Sequence, residues 1–597
     1  MFSEISGALP DILGDFTPGA VSSDRERWKA VPQALRDVVV RDAEATLART
    51  WPLITASDYR EYTATGNRSR FEELYFTRRR MLNDLVLGEL IEGNGRFLPG
   101  IVDGIVLIAE ESGWQLPAHN AYGRGGPRLP LPDTSQPVID LFAAETAALL
   151  ATIVALLGDA LDGISPEIAA RVNRDIEARI LTPYLGRHFW WMGSGDERMN
   201  NWTAWITQNV LLATFSLKTD QPTRRAVAEK ALGSLDAFLK DYAEDGACEE
   251  GVVYYRHAAL CLHGALTVLD RVAPGLFDGI WRQPKIRNMA EYIAHMHVAG
   301  RHYFNFADSS AVVEPCSVRE YLFGEAVGSE MLAAFAAADR AAAERPHLPE
   351  EWNLWYRVQE LLTGPAIPKV EANPVSKRDI FYPGIGLFIA RDGQFSLAVK
   401  GGNNGEGHNH NDVGSMTLYK NGRPFLIDVG VETYTSKTFS LGRYEIWTMQ
   451  SAYHNLPTFS GIMQAAGEAF GARDVEVEFG EECARISLDI AGAYPEEAQL
   501  RSYRRTVSLL RGRHVEIVDT QDGDRPAVLS LMTCLAPTVN SDRIDLADLG
   551  NIFVEGAGEI EVDEIEVNDI RLRSAWPEQL YRLRLPLAGN RLKLQIN

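Results

Sequence analysis

Three segments rich in histidine and aspartate follow one another in the second half of the chain. Residues 407–412 read GHNHND, Asp428 comes next, and residues 451–455 read SAYHN. Imidazole nitrogens and carboxylate oxygens are ligands that a divalent cation such as Zn²⁺ takes, most often in a tetrahedral set. Because short strand-like runs surround the three segments, the sequence favours a metal site on neighbouring strands. The alternative is a set of histidines in polar surface turns.

The chain up to Pro365 has the pattern of helices. Apolar residues recur at spacings of three and four, which is the period of an amphipathic helix. Turn signals such as Gly-Asn-Gly at 93–95 separate these runs. Serial helices without a regular sequence repeat favour a closed (α/α) toroid over a repeat array. The clearest helical segments are 138–157, 209–215, 225–242, 258–272 and 330–343.

Beyond Pro365 the pattern changes to short alternating strands. Asn421-Gly422 separates two of them and predicts a two-residue hairpin turn. Many short strands without intervening helices indicate an antiparallel β-sandwich. We therefore predict an (α/α) toroid over residues 1–372 and a β-sandwich over 373–597. The strand-like runs are 388–390, 395–399, 415–419, 424–429, 475–479, 484–489, 504–510, 514–519, 527–533 and 592–596.

Length and composition bound the class of protein. A chain of 597 residues is too long for one hydrophobic core, so at least two domains are expected. The net charge of −22 argues against a nucleic acid partner, because phosphate binding needs a basic surface. No signal peptide and no run of about 18 apolar residues is visible. The expected location is cytoplasmic, or periplasmic or secreted if a leader was removed, without a membrane span.

Residues 403–455 closely resemble the signature of the heparinase II/III-like polysaccharide lyases. In that family one histidine of the His-x-His pair faces the catalytic cleft and the other binds a structural metal. The resemblance implies that His408 is the cleft residue and that His410, Asp428 and His454 bind a divalent metal, Zn²⁺ in the first instance. In a regular strand these two histidines would share a face. We therefore expect irregular backbone in this glycine-rich stretch.

Two segments of the helical half extend the resemblance. The sequence MNNW at 199–202 is similar to the family segment whose asparagine, here Asn201, binds the substrate carboxylate. The sequence DGACEEGVVYY at 245–255 is similar to the segment that bears the catalytic tyrosine. The family has Gly-Pro where this chain has Gly-Val, so either of two neighbouring tyrosines can be aligned with the catalytic tyrosine of the family. The resemblance implies Tyr255 as the catalytic tyrosine, with Tyr254 as its rival.

The implied reaction is β-elimination across C4 and C5 of a uronate. An amide such as that of Asn201 can bind the carboxylate and stabilise the charge that develops on it. A base must remove the C5 proton, and an acid must protonate the departing O4. Tyr255 serves both roles if the two groups lie on one side of the ring, whereas His408 is the base if they lie on opposite sides. Tyr434 is a third candidate for catalysis, with a packed strand aromatic as the alternative.

Further polar and aromatic side chains are candidates for binding the glycan. Aromatic rings can stack on sugar rings, and arginines can bind carboxylates or sulfates through two parallel hydrogen bonds. The alternatives are helix packing, helix caps and solvated helix faces; Asp308, like Asn305, could cap a helix or line the cleft. The substrate-binding candidates are Arg68, Arg78, Arg79, His119, His188, Trp202, Tyr254 and Asn305.

The sequence therefore predicts a polysaccharide lyase that acts on a 4-linked uronate glycan, either a glycosaminoglycan or alginate, as polymer or oligosaccharide. A glycoside hydrolase on a similar toroid is the first alternative, since hydrolysis needs two carboxylates and Asp245, Glu249 and Glu250 lie near the expected cleft. A non-catalytic glycan-binding protein is the second alternative.

Overall fold

A computed structural model describes residues 1–368, 370 and 378–597. The chain divides into two compact units. The first, here called the helical unit, comprises Met1–Tyr242, Arg256–Ala290 and Pro315–Asn373. The second, called the sheet unit, comprises Ala243–Tyr255, Glu291–Glu314 and Pro374–Asn597. The boundary predicted between residues 372 and 373 lies outside the described residues, and two segments of the first half belong to the sheet unit.

The helical unit confirms the predicted helices. The predicted segment 138–157 is the helix Leu141–Asp162, which begins where the Asp140 side chain accepts a hydrogen bond from the Ala143 amide at 2.7 Å. Such a cap satisfies an amide that has no partner within the helix. The α-helices outside the sheet unit are Ser3–Ser6, Arg25–Lys29, Gln33–Leu47, Ala56–Thr65, Ser69–Glu92, Leu98–Ala109, Leu141–Asp162, Pro166–Ile176, Thr182–Gly186, Asn201–Ser216, Gln221–Asp241, Ala259–Val272, Asp278–Trp281, Pro284–Met296 (which contains the division at Ala290), Val318–Ala326, Glu330–Ala341 and Leu354–Thr363.

One helix among the described residues, Leu141–Asp162, is long and apolar enough to cross a membrane by length and composition alone. Its most apolar stretch has a mean hydropathy of 2.0, and 83% of that stretch is buried inside the structure. Burial of this kind is typical of the core helix of a globular unit, where apolar residues cover the whole circumference of the helix.

The sheet unit consists of antiparallel sheets, with the short helices Val252–Tyr255 and Ile570–Arg573. The eight-stranded sheet has the order Arg473–Phe479, Cys483–Asp489, Leu500–Leu510, His514–Gly523, Arg591–Ile596, Gly550–Glu555, Arg543–Leu546 and Pro537–Asn540. The five-stranded sheet runs Ile380–Tyr382, Leu387–Arg391, Phe395–Lys400, Met416–Lys420 and Arg423–Leu426, and the four-stranded sheet runs Glu561–Glu566, Gln579–Pro586, Ala527–Thr533 and Pro457–Phe459. Two-stranded pairs join His297–Ala299 to His302–Tyr303 and Asn403–Asn404 to Gly467–Gly471.

The predicted hairpin lies between Met416–Lys420 and Arg423–Leu426. Asn421 has φ 52° and Gly422 has φ 75°, as the type I′ turn of a two-residue hairpin requires. A single hydrophobic core joins residues of the three large sheets, with Leu397, Val507 and Leu529 among its fully buried members. The predicted fold class, helices followed by antiparallel sheets, is confirmed.

A buried ion pair ties the core of the sheet unit to the segments that carry the histidines. Arg505 donates from Nε and Nη2 to the two carboxylate oxygens of Asp519, at 2.8 and 2.6 Å. Its Nη1 donates to the backbone oxygens of Gly414 and Asn455, at 2.9 and 2.6 Å. Because the guanidinium uses all of these donors, the two polar segments are held against the strand Leu500–Leu510.

Candidate active site and metal site

The carboxylate of Asp308 is the centre of the polar cluster in the sheet unit. Its Oδ2 accepts from His408 Nδ1 at 2.7 Å, and its Oδ1 accepts from His410 Nε2 at 3.1 Å. Arg443 Nη2 donates to Oδ1 at 2.6 Å, and the Tyr434 hydroxyl donates to Oδ2 at 3.1 Å. Burial opposes ionisation, but the hydrogen bonds from the two histidines and the charge of Arg443 outweigh it, so the pKa of Asp308 lies well below its ordinary value.

Irregular backbone lets both histidines reach this one carboxylate. His408 has φ 54°, in the left-handed region, so the stretch does not alternate as a strand does. This is the irregularity that the His-x-His spacing required. Gly407 allows a close approach, since a Cβ there would lie 2.8 Å from Glu249 Oε1 and 3.2 Å from Glu250 Cγ. A larger residue at position 407 would therefore require the side chains of Glu249 and Glu250 to shift.

The imidazole of His408 lies between two carboxylates and beside two aromatic rings. Its Nε2 is 3.7 Å from Glu250 Oε2, on the side opposite Asp308. Its ring centroid is 4.5 Å from that of Tyr254 and 5.9 Å from that of Phe439. Burial lowers the pKa of His408, but the hydrogen bond to Asp308 and the charge of Glu250 exceed this effect, and the pKa is raised.

The two tyrosines beside His408 are joined through their hydroxyl groups. Tyr254 and Tyr434 share a short hydrogen bond, and the Arg571 guanidinium lies over the Tyr434 ring at 4.5 Å. Burial raises the pKa of both phenols, so both are protonated at neutral pH. Tyr255 is fully buried, and its ring centroid lies 6.4 Å from that of Tyr292. The structure therefore brings Tyr254 to His408.

His410, Asp428 and His454 form a buried group whose ligand atoms all lie within 4.8 Å of one another. Among the described residues, His410 Nδ1 and His454 Nε2 have no hydrogen-bond partner. His454 Nδ1 lies 3.0 Å from Asp428 Oδ2 without the angle of a hydrogen bond. Buried polar atoms without partners are costly, and a divalent cation would satisfy them. The group could therefore hold a metal ion.

Asn305 lies against this group rather than in the cluster around His408. Its Nδ2 donates to the backbone oxygen of Asp428 at 3.2 Å and to Oδ1 of the same residue at 3.3 Å. The Gly430 amide donates to Asp428 Oδ1 at 2.8 Å. These contacts orient the Asp428 carboxylate, so Asn305, which was predicted to bind substrate, supports the group that could hold a metal.

Three of the predicted substrate-binding residues come together in the helical unit. His119 Nδ1 is 2.7 Å from Asp140 Oδ2, and His119 Nε2 is 3.4 Å from Arg68 Nη2. The rings of His119 and Trp202 are 4.7 Å apart. Asn201 is buried as the first residue of its helix, and the side chain of the preceding Asn200 caps that helix. Asn200 therefore caps the helix, whereas the side chain of Asn201 is buried in its first turn.

Arg78 and Arg79 are placed differently from the prediction. Both are buried, and both pair with Glu111, at 3.1 and 2.7 Å. Since these guanidiniums are directed to an internal carboxylate, their placement speaks against contact with a glycan. His188 is exposed on the helical unit and is not part of the group around His119. The sequence could not reveal these differences, because Glu111 lies more than thirty positions from its partners.

Sequence reasoning missed four charged residues of the cluster. Asp308 was considered only as a helix cap or cleft residue, and Glu250 only as a carboxylate for hydrolysis. Arg443 and Arg571 received no role. Arg571 Nη2 donates to the backbone oxygen of Asp308 at 2.9 Å. A signal existed for Asp308, since a lone aspartate in the apolar run FNFAD at 304–308 needs partners if it is buried.

The chain is similar to known proteins both in sequence and in structure. Residues 374–575 match the family described as "Heparinase II/III-like, C-terminal". A crystal structure of heparinase III is similar, with a TM-score of 0.61 and 13% identity over 96% of this chain and 93% of that one. Heparan sulfate lyase HepC from Pedobacter heparinus is also similar, with a TM-score of 0.57 and 15% identity over 96% and 86%. No curated protein matches the sequence. At this identity the structural likeness shows a shared fold.

We predict that His410→Ala and Asp428→Ala each reduce bound Zn²⁺ from about one ion per chain to nearly none and lower the melting temperature, because a structural metal stabilises the folded state. Elemental analysis and calorimetry measure the two effects. The matched control is His514→Ala, a half-exposed histidine at the start of the strand His514–Gly523. Full metal content in both variants would refute the ligand assignment.

Proposed function

We propose that this chain cleaves a glycosaminoglycan at a 4-linked uronate by β-elimination, because residues 374–575 match the family described as "Heparinase II/III-like, C-terminal". This match and the similar structures support the predicted family and the predicted enzyme class, a polysaccharide lyase. The names of the two similar structures, heparinase III and a heparan sulfate lyase, support a glycosaminoglycan as the substrate class. Alginate also presents 4-linked uronates, and the test below includes it as an alternative substrate.

The arrangement around His408 is the observation that carries this proposal. Its Nδ1 donates to Asp308, which leaves Nε2 as the atom that can accept the C5 proton. The electron pair of the C5–H bond forms the C4–C5 double bond, and the C4–O4 bond breaks. The imidazolium that results lies between the carboxylates of Asp308 and Glu250, which stabilise its charge.

Tyr254 is the acid of the proposed reaction. Its pKa is raised by burial, so the phenol holds its proton until the departing O4 takes it. The tyrosinate left behind is next to the Tyr434 hydroxyl, and Arg571 lies over the Tyr434 ring. The positive charge of Arg571 lowers the free energy of such an anion. The raised pKa argues against a resting tyrosinate and favours His408 as the base.

The metal has a structural role in this proposal. Zn²⁺ suits a site of two histidines and one aspartate, and it would hold the segments of His410, Asp428 and His454 together. No bond of the substrate is assigned to the metal.

Hydrolysis has less support than elimination. A hydrolase needs two carboxylates on either side of the glycosidic bond. Asp308 is fully buried with four side-chain donors, and the Asp245 carboxylate accepts from the amides of Ala247 and Gly384, at 3.0 and 2.7 Å. These two carboxylates are already engaged within the sheet unit.

We expect the purified protein to raise the ultraviolet absorbance of a glycosaminoglycan or alginate panel, because elimination creates a conjugated unsaturated uronate. Tyr254→Phe and His408→Ala should each lower kcat by about 10²–10⁴-fold, since each removes a proton-transfer group. Tyr255→Phe is the matched control and should keep most of the activity.

New reducing ends without an increase in absorbance would mean hydrolysis and would overturn the proposal. No turnover of any member of the panel would favour a glycan-binding protein instead. A loss in Tyr255→Phe alone would show that the tyrosines have been assigned in the wrong order.

Asn201 is assigned the uronate carboxylate on the resemblance of its segment alone. Its amide would stabilise charge that develops in the transition state, so Asn201→Ala should lower kcat by about 10²–10³-fold. The neighbouring Asn200→Ala should instead destabilise the fold by about 1 kcal/mol through loss of the helix cap. Kinetics and thermal melting separate the two effects. Equal activity of both variants would remove Asn201 from the proposed mechanism.

A further inference from the structure

We infer that Asp308 is a positioning residue that couples the orientation of His408 to the metal site. The inference rests on the proposed function for the role of His408, and on geometry alone for the rest. Each oxygen of this one carboxylate serves a different imidazole: Oδ2 holds His408 at 2.7 Å, and Oδ1 holds His410 at 3.1 Å. The two histidines therefore cannot be oriented independently of each other.

The contact between Asp308 and His410 fixes which nitrogen of His410 faces the metal group. Because Nε2 donates to the carboxylate, Nδ1 carries the lone pair, and Nδ1 has no hydrogen-bond partner among the described residues. A carboxylate behind a metal-binding histidine fixes its tautomer and raises its basicity. The same carboxylate fixes the tautomer of His408, so that the free nitrogen of His408 is Nε2.

The guanidinium of Arg443 holds the Asp308 carboxylate in place. Its Nη2 donates to Asp308 Oδ1 at 2.6 Å and to the backbone oxygens of His408 and Asn409, at 2.9 and 3.0 Å. One guanidinium therefore clamps the side chain of Asp308 and the backbone that carries His408. A shift of Asp308 would move both, since they share this donor.

The backbone around Asp308 makes a second connection to the metal group. Asn305, three residues earlier, donates to the backbone oxygen and the carboxylate of Asp428. Ala307 has φ 53°, in the left-handed region, so the turn that presents Asp308 has a defined and uncommon conformation. The segment 305–308 thus touches a metal ligand at one end and the proposed catalytic base at the other.

The test compares Asp308→Asn with Asp489→Asn. Asparagine at 308 keeps one acceptor and replaces the other with a donor, so it cannot serve two imidazole N–H groups. Asp489 is a buried aspartate of the same unit whose Oδ1 accepts from the amides of Ala491 and Tyr503, both at 2.9 Å. Zn²⁺ affinity is measured by chelator competition, and kcat and KM are measured on the most active polymer of the panel.

Asp308→Asn should lower Zn²⁺ affinity and kcat each by about 10–100-fold, as loss of a carboxylate behind a metal-binding histidine does. KM should stay near the wild-type value, and saturating Zn²⁺ should not restore kcat. Asp489→Asn should leave Zn²⁺ affinity and kcat at wild-type values. Loss of only one of the two quantities in Asp308→Asn, full recovery of kcat with Zn²⁺, or the same losses in Asp489→Asn would each overturn the coupling.

A second measurement covers the case in which Asp308→Asn does not fold. The visible spectrum of Co²⁺ bound to the wild-type protein should differ from that of Co²⁺ bound to Arg443→Gln, because Arg443 donates to the same Asp308 oxygen that holds His410. An unchanged spectrum would overturn the coupling. Neither the Zn²⁺ affinity nor the Co²⁺ spectrum depends on turnover. Inactivity on every polymer would therefore contradict the proposed function alone. The link between Asp308 and the metal group would still be tested by the affinity and the spectrum.

Discussion

The arrangement of the sheet unit depends on one buried carboxylate. Removing an ionised carboxylate from water costs several kcal/mol unless hydrogen bonds and opposite charges replace the lost solvation. Asp308 receives two imidazoles, a guanidinium and a phenol, which together hold its pKa well below the ordinary value. Each donor must lie on a defined side of the carboxylate. The requirement of Asp308 for partners therefore fixes the relative positions of His408, His410, Arg443 and Tyr434.

Charges of opposite sign alternate across this cluster in a way that suits proton transfer. The imidazole of His408 lies between two acidic groups, Asp308 and Glu250, which favour its protonated form. The phenols of Tyr254 and Tyr434 are partly buried, and the loss of solvation raises their pKa and favours their protonated form, while Arg571 opposes this effect. A base whose cation is stabilised and an acid whose anion has a positive charge nearby are what an elimination with two separate groups requires.

The sequence predicted the elements well because their periods are local properties. The helix Glu330–Ala341 and the hairpin at Asn421 and Gly422 follow from spacing and turn chemistry over a few residues. The group His410, Asp428 and His454 followed from a motif. The choice between Tyr254 and Tyr255 depended on which ring the four-residue helix Val252–Tyr255 buries. The side chains that bind Asp308 are 100 or more positions away from it in the chain. Pairings at such separations arise from the tertiary fold, which periodicity does not encode.

The most direct test of the central role of Asp308 is the crystal structure of the protein grown with Zn²⁺, with anomalous scattering recorded at the zinc edge. The account predicts one peak bounded by His410 Nδ1, Asp428 and His454, with Asp308 accepting from both His408 Nδ1 and His410 Nε2. A peak bound by Asp308 or by His408 would contradict it, because the carboxylate would then be a metal ligand and could not orient the two imidazoles.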